Sequence, residues 1–305
     1  MRLTEKDIQL LSFLGRYRIM IAVEAKKIYG RKNYYLKRLK ALETARYIQR
    51  MNYYYIKLDT NGTKLIKKLG YNYNGLCRKK KYQDRIKDIS KIAALTLDSS
   101  IELLTSSEVK DSQIYTEVSR KFIGELFYQN KRFISYYISK EKDNSYIKQV
   151  INDMRKTINY KYALIFLENF RLLNKSNQYF MLGKENTLII KPNKVNLDRM
   201  KIFQELDFYE VLLQIYKGKE VLLSNWEKAD YMTEDTYIIL TPFIDVEKLH
   251  RLNIFYNSKE NQKKKIDIIT LKENITKIKE ILTNSTNIIE LDGWLGGISE
   301  DFKEV

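Results

Sequence analysis

The fold of the N-terminal third of the chain follows from residues 31–58, which read RKNYYLKRLKALETARYIQRMNYYYIKL. Three leucines recur at helical spacing within residues 32–45 and predict a strongly basic helix. The leucines that we expect to face the core are Leu36, Leu39 and Leu42. Two β-type segments follow, residues 47–50 and 53–58, and their close spacing predicts a hairpin.

Further helices flank this segment on both sides. Thr4 and Asp7 have the spacing of a capping box at the start of a first helix, and Gly15 ends that helix. Residues 21–29 predict a short second helix, and Thr60 begins another helix after the hairpin. This order of elements is that of a winged helix-turn-helix, in which a basic helix lies in the major groove of DNA. The hairpin then forms a wing that reaches the DNA backbone or the minor groove.

Most of the positive charge lies in the same region. The chain has 55 Lys and Arg residues against 38 Asp and Glu residues, a formal net charge of +17. Residues 1–90 hold 23 basic and 7 acidic residues, a net of +16, whereas residues 91–305 hold 32 and 31. A codon preference for lysine would spread charge evenly, so this segregation indicates a nucleic-acid-binding module joined to a balanced second domain.

The basic helix provides the first set of candidate DNA-binding residues. Asparagine and arginine pair with base edges, lysine mainly neutralises phosphates, and a helix N-terminus also favours phosphate. The candidates on the side opposite the leucines and at the N-terminal end of the helix are Arg31, Lys32, Asn33, Tyr34, Lys37, Arg38 and Lys40.

The hairpin and the segment that follows the module provide the second set. The hairpin candidates are Arg46, Arg50, Asn52 and Tyr53. After the last helix of the module comes a basic run formed by Arg78, Lys79, Lys80 and Lys81. This run either lies along the DNA backbone or is a solvated charge run at the edge of a domain.

The order of predicted helices and strands indicates an α+β protein with two domains. We expect a winged helix-turn-helix domain over residues 1–75, a basic, helical linker over 76–112, and a mixed α/β domain over 113–305. The nearly all-apolar segment 162–167 is typical of a central buried strand. The other predicted strands cover residues 113–118, 122–128, 131–138, 178–182, 187–191, 236–240, 253–256 and 266–269.

The sequence holds no recognisable catalytic constellation. It contains no P-loop, GxGxxG, HExxH or CxxC motif, and Cys77 and His250 are the only residues of their types. A Mg²⁺ nuclease would need a second acid in the strand after Glu125, but Tyr136 and Ile138 occupy the positions where it would lie. We therefore expect no enzyme, no cofactor and no metal site. The polar N-terminus and the lack of a long apolar segment predict a cytoplasmic protein without membrane contact.

Several segments of the N-terminal module resemble a known family. They are LTEKDIQLL at residues 3–11, RYR at 16–18, YYLKRL at 34–39 and LDTNG at 58–62. They are similar to the replication-relaxation proteins, winged-helix proteins of plasmids and conjugative elements in Gram-positive bacteria. The second half is similar in outline only, as a degenerate nuclease-like domain. The resemblance implies a role on mobile-element DNA, in replication initiation or in processing of the transfer origin.

The leading hypothesis is a double-stranded DNA-binding protein of a plasmid or mobile element, without catalysis of its own. It would act in replication initiation or as a relaxosome accessory, with a relaxase, a replication protein or a second copy in a homodimer as its partner. The alternative is a winged-helix transcriptional regulator whose C-terminal domain senses a ligand or binds a partner. A nuclease would need metal-dependent cleavage that depends on Glu125 or on one tyrosine, and a scaffold that never touches DNA leaves the +16 module unexplained.

Overall fold

Helices and strands alternate along the chain, and this confirms the predicted α+β class. The computed structural model describes residues 1–30, 33–75, 80–97, 99–111, 121–128, 131–157, 160, 162–169, 186–205, 207–257, 264–282 and 287–291. The chain forms two compact units. The first comprises residues 1–115 and 123–128, and the second comprises residues 116–122 and 129–305.

The first unit begins with a small helical core closed by a sheet. Its elements are α1 (Glu5–Tyr17), β1 (Ile19–Ile21), α2 (Lys26–Tyr29), α3 (Tyr34–Thr44), β2 (Ile48–Met51), β3 (Tyr55–Leu58) and α4 (Thr60–Lys68). A short 3₁₀ helix, Ala22–Ala25, leads into α2. The strand order is β1-β3-β2, with antiparallel pairing throughout.

The start of α1 follows the capping-box prediction. The Thr4 hydroxyl accepts a hydrogen bond from the Asp7 backbone N–H at 3.3 Å, and the Asp7 carboxylate accepts one from the Thr4 N–H at 2.6 Å. One face of α1 is buried through Leu10, Leu11 and Leu14. The helix is therefore fixed at its N-terminus and along its apolar face.

Strand β1 corrects the prediction for the second helix. The sequence places Ile21 at the start of that helix, whereas in the structure Ile21 ends β1 opposite Tyr55 of β3. Met20 is fully buried opposite Ile56, which is also fully buried. This pairing holds the segment extended because it satisfies the backbone N–H and C=O groups while both apolar side chains leave water.

Further elements complete the first unit. They are α5 (Lys80–Leu95), β4 (Glu102–Thr105), α6 (Ser106–Asp111) and β5 (Gly124–Tyr128). Strands β4 and β5 pair antiparallel, with Leu104 opposite Glu125. Helix α5 packs against β1, and the Ser90 hydroxyl donates a hydrogen bond to the Ile19 carbonyl at 2.6 Å. The part of segment 76–112 that the structure describes therefore packs within the first unit.

The second unit contains two sets of parallel strands. Its elements are β6 (Lys131–Ile138), α7 (Asn144–Lys156), β7 (Tyr162–Leu167), β8 (Asn186–Ile190), α8 (Lys194–Glu205), α9 (Phe208–Ile215), β9 (Leu222–Leu223), β10 (Tyr231–Met232), β11 (Thr236–Leu240), α10 (Val246–Asn257), β12 (Lys265–Thr270), α11 (Lys272–Ile281) and β13 (Asn287–Glu290). β6, β7 and β8 are parallel neighbours, and so are β11, β12 and β13. β10 and β9 extend the second set in antiparallel order.

Several predictions for the second unit hold and two are wrong. β6, β7 and β11 have the predicted bounds, and the last five residues of β7 are buried, as expected of a central strand. The predicted strand over 253–256 is instead the last part of α10. The list of predicted strands also lacks β13, which pairs with β12. The predicted strands over 113–118 and 178–182 lie outside the described residues.

None of the helices in the described part of the chain combines the length and the hydrophobicity needed to cross a lipid bilayer.

Candidate nucleic-acid interface

Helix α3 has one buried side and one exposed, basic side. Leu39 and Leu42 are fully buried, as predicted. Leu36 differs from the prediction, because its side chain is 47% exposed. The candidates whose side chains lie on the exposed side are Asn33, Tyr34, Lys37 and Lys40. This side of α3 therefore presents two lysines and an asparagine to solvent. The exposed side chains of Tyr34 and Leu36 lie on the same helix.

Arg38 does not lie on that exposed side. Its side chain is only 16% exposed and forms an ion pair with Asp7 of α1. The guanidinium Nε donates to both Asp7 carboxylate oxygens, at 2.8 and 3.0 Å, and Nη2 donates to the Arg2 carbonyl at 2.7 Å. The prediction of an exposed Arg38 is thus wrong. The partner carboxylate lies in another helix, where helical periodicity alone does not reveal it.

Asp7 is the centre of a buried polar cluster. Its carboxylate is fully buried and accepts hydrogen bonds from Arg38, from Thr4 and from the Tyr29 hydroxyl, which lies at 2.8 Å. Burial would raise the pKa of Asp7, but the hydrogen bonds from Arg38, Thr4 and Tyr29 outweigh it and lower that pKa. Burial and the hydrogen bond to Asp7 raise the pKa of Tyr29. Asp7 is therefore held as a carboxylate, and it joins α1, α2 and α3.

The tip of the β2–β3 hairpin holds two consecutive residues with left-handed backbone. Asn52 has φ of 47° and Tyr53 has φ of 59°. Asparagine adopts this conformation readily, whereas a tyrosine in it is uncommon and strained. The Tyr53 side chain is 90% exposed and that of Tyr54 is 72% exposed. The tip is anchored from behind, because the Ala22 N–H donates to the Tyr54 carbonyl at 2.7 Å.

The two basic residues at the base of the hairpin have acidic partners. Arg50 Nε lies 3.2 Å from a Glu43 carboxylate oxygen, so this pair connects β2 to α3. Arg46 Nε lies 3.7 Å from an Asp59 carboxylate oxygen, and the Arg46 side chain is 69% exposed. Such exposed pairs contribute little to stability, and the arginines can exchange these partners for phosphates at small cost.

The remaining candidates fall partly outside the described residues. Arg31, Lys32, Arg78 and Lys79 lie outside them, and Lys80 and Lys81 form the start of α5. The structure thus brings the described α3 candidates and the hairpin candidates onto neighbouring elements, since the Glu43–Arg50 pair joins α3 to β2. Among them, Arg38 differs because its guanidinium is paired with the buried Asp7 carboxylate.

Sequence reasoning missed two exposed side chains of this region. They are Leu36 on α3 and Tyr54 at the hairpin tip, the latter because a strand was predicted from residue 53. The correct buried side of α3 could have been predicted from residue spacing. Positions i, i+3, i+4 and i+7 lie on one face of a helix, and here they are Tyr35, Arg38, Leu39 and Leu42.

The described residues also bear on the nuclease alternative. They contain no group of three His, Cys, Asp or Glu side chains placed to hold a metal ion. Tyr136 and Ile138, at the positions where a nuclease would need an acid, are fully buried in β6. Glu125 is buried in β5.

Comparison of the chain with models of known protein families gives no match, and comparison with curated protein sequences gives no significant match.

Proposed function

We propose that the first unit binds double-stranded DNA as a winged helix-turn-helix, with α3 in the major groove and the β2–β3 hairpin as the wing. The observation that carries this proposal is the exposed basic side of α3 beside a hairpin with two exposed tyrosines at its tip. Both belong to a segment with a net charge of +16 over residues 1–90. A surface of this kind matches a polyanion with stacked bases.

The order of elements supports the same proposal. α1, β1, α2, α3, β2, β3 and α4 follow one another in the order in which a winged helix-turn-helix arranges its helices and wing. The buried side of α3, formed by Leu39 and Leu42, packs into the core and leaves the opposite side for the groove. The sheet β1-β3-β2 fixes the hairpin to that core.

The residues of this surface have different proposed roles. Asn33 contacts a base edge, because its amide can both donate and accept. Lys37 and Lys40 neutralise phosphates. Arg46 and Arg50 bind the backbone beside the wing after releasing their acidic partners. Arg38 orients α3 through Asp7 and does not contact DNA.

The biological role that we propose is site-specific binding on a plasmid or mobile element, in replication initiation or as a relaxosome accessory without catalysis of its own. This part rests on the resemblance of the N-terminal segments to the replication-relaxation proteins. A winged-helix transcriptional regulator would have the same first unit. The two roles differ in the position of the bound site, at an origin or at the protein's own promoter.

The test is fluorescence anisotropy with DNA fragments tiled across the native locus, with shuffled DNA as reference, at two salt concentrations. We expect one fragment to bind at least about tenfold more tightly than shuffled DNA at the higher salt, because specific sites exceed non-specific binding by large factors. Equal and weak binding to every fragment, abolished by salt, would contradict the proposal.

Matched variants locate the DNA-binding surface. Lys37→Ala should weaken binding and reduce the slope of log K against log salt by about 0.9, the share of one phosphate contact. Lys217→Ala is the control, since Lys217 is an exposed lysine of the second unit. If both variants weaken binding equally, α3 is not the contact surface.

A further inference from the structure

The first unit has a half-open cavity that the DNA-binding proposal does not use. Its volume is about 280 Å³. Its walls come from the C-terminal end of α1, from α5 and from the β4–α6 junction. This volume is close to the lower limit of small-molecule sites, which occupy about 300–1,000 Å³.

One wall of the cavity is cationic. Of the described residues that line it, three are arginines, Arg16, Arg18 and Arg85, and none is acidic. Arg16 is held in place by Glu108 at 2.7 Å and by Glu102 at 3.3 Å. The Arg18 guanidinium forms no hydrogen bond or ion pair with the part of the chain that the structure describes. A half-buried cation without such a partner is a receptor for an anion.

The backbone at Arg18 supports a role for that side chain. Arg18 has φ of 75° and ψ of −42°, a conformation that L-residues rarely adopt. Its N–H still donates to the Leu14 carbonyl at 2.9 Å, so the position is part of the α1 terminus. A glycine would be the usual residue at such a position. Strained backbone of this kind concentrates at ligand-binding positions.

The other walls supply hydroxyl groups and apolar surface. The Thr105 and Ser107 hydroxyls lie 3.0 Å apart at the β4–α6 junction. The Ile86 and Ile89 side chains are buried along α5 and face the cavity together with the Tyr17 ring. The Tyr17 hydroxyl is already used, because it donates to the Leu103 carbonyl at 3.1 Å. The Tyr17 hydroxyl is therefore not free to bind an anion in the cavity.

We propose that this cavity binds a small organic anion, with its carboxylate or phosphate group on Arg18 and Arg85 and its ring or short chain against Ile86, Ile89 and Tyr17. The Thr105 and Ser107 hydroxyls share one hydrogen bond, so the one whose proton is not used in it donates to a remaining anion oxygen. Carboxylate and phosphate share this chemistry, since both match the planar fork of a guanidinium. The proposal does not depend on DNA binding by α3.

The test is isothermal titration calorimetry of the full chain with three probes: phenyl phosphate, benzoate and inorganic phosphate. We expect one molecule of phenyl phosphate or benzoate to bind per chain, more tightly than inorganic phosphate, because only the organic probes use the apolar wall. The preferred organic probe identifies the anionic group. No heat of binding from either organic probe would overturn the proposal, and so would equal affinity for inorganic phosphate.

Two variants and one control locate the site. Arg18→Gln and Arg85→Gln should each weaken the better organic probe at least about tenfold, the loss of one charge-assisted contact. Arg2→Gln is the matched control, because Arg2 is an exposed arginine outside the cavity. Circular dichroism confirms that each variant is folded. Unchanged affinity in both folded cavity variants, or an equal loss in Arg2→Gln, would overturn the proposal.

Discussion

The Nε atom of Arg38 donates to both carboxylate oxygens of Asp7, at 2.8 and 3.0 Å, and so joins α3 to the start of α1. The two residues are 31 positions apart in the chain. Asp7 is fully buried, whereas the Arg38 side chain is 16% exposed. This charged contact, together with the buried Leu39 and Leu42 side chains, holds α3 against the rest of the module.

Removing the arginine should destabilise the first unit far more than removing a neighbouring lysine. Arg38→Gln leaves the Asp7 charge buried without its cationic partner, which costs about 3–5 kcal/mol for pairs of this kind. Lys37→Gln should change stability by less than about 0.5 kcal/mol, because the Lys37 side chain is exposed. Urea unfolding followed by circular dichroism measures both. Equal stability of the two variants would show that the pair is not required.

The same cluster should make the first unit sensitive to acid. The pKa of Asp7 in the folded state is lowered from its ordinary value of 3.8, so ionised Asp7 adds stability above that pH. This contribution is lost as the pH falls through the lower, folded pKa. Tyr29→Phe removes a hydrogen bond that lowers the pKa, so the acid loss of stability should begin at a higher pH than in the wild type.

Thermal unfolding at a series of pH values measures this shift. Tyr34→Phe is the control, because the Tyr34 side chain is exposed and does not bond to Asp7. Asp7→Asn should be less stable at neutral pH and should show a weaker dependence on acid. An acid profile of Tyr29→Phe that coincides with the wild type would exclude the proposed contribution of the hydroxyl.

The left-handed Tyr53 predicts opposite changes in stability and in DNA affinity. Tyr53→Gly should stabilise the fold by roughly 1 kcal/mol, because glycine adopts positive φ without the Cβ clash. The same change should weaken DNA binding several-fold, since it removes an exposed ring from the wing tip. Tyr54→Ala removes the neighbouring ring without relieving backbone strain, so it should weaken binding without stabilising the protein. An unchanged DNA affinity of Tyr53→Gly would show that the Tyr53 ring does not contact DNA.

Replacing Gly62 of α4 should destabilise the first unit strongly. A Cβ atom at Gly62 would lie 2.0 Å from the Tyr47 carbonyl oxygen and 3.0 Å from Leu58 Cδ2. Gly62→Ala therefore forces α4 away from the hairpin and should cost more than about 3 kcal/mol, as severe overpacking does. Gly70→Ala is the comparison. No atom of the described residues lies within 4 Å of its Cβ position, but its φ of 73° adds about 1 kcal/mol of strain. Thermal unfolding of the two variants should rank them in this order.

The parts of the first unit that the sequence predicts correctly are those with a local physical cause. The Thr4–Asp7 capping box is encoded within four consecutive positions, and the hairpin is encoded by two β-type segments with a short connection. β1 was missed because three residues are too few to show a period, and its stability comes from pairing with β3. Arg38 was misplaced because its partner lies in a different helix.

The second unit shows the same division. β6, β7 and β11 were predicted with correct bounds because their apolar or β-branched segments are long. β9 and β10 have two residues each and form only as additions to β11. The segment 253–256 is rich in β-forming residues, yet it continues α10 because the helix before it is already formed. Likewise, the cavity lined by Arg16, Arg18 and Arg85 is formed by segments far apart in sequence, so no local sequence motif predicts it.

Helix α5 also has a consequence for how the first unit can be isolated. β1 lies at the edge of the sheet β1-β3-β2, and α5 packs over it through buried side chains including Ile92. A chain cut at residue 75 would lose this cover and expose a hydrophobic edge strand, which is a template for pairing between molecules. Such a fragment should aggregate, whereas one that retains α5 should remain monodisperse. We therefore expect α5 to protect the first unit from self-association by covering β1.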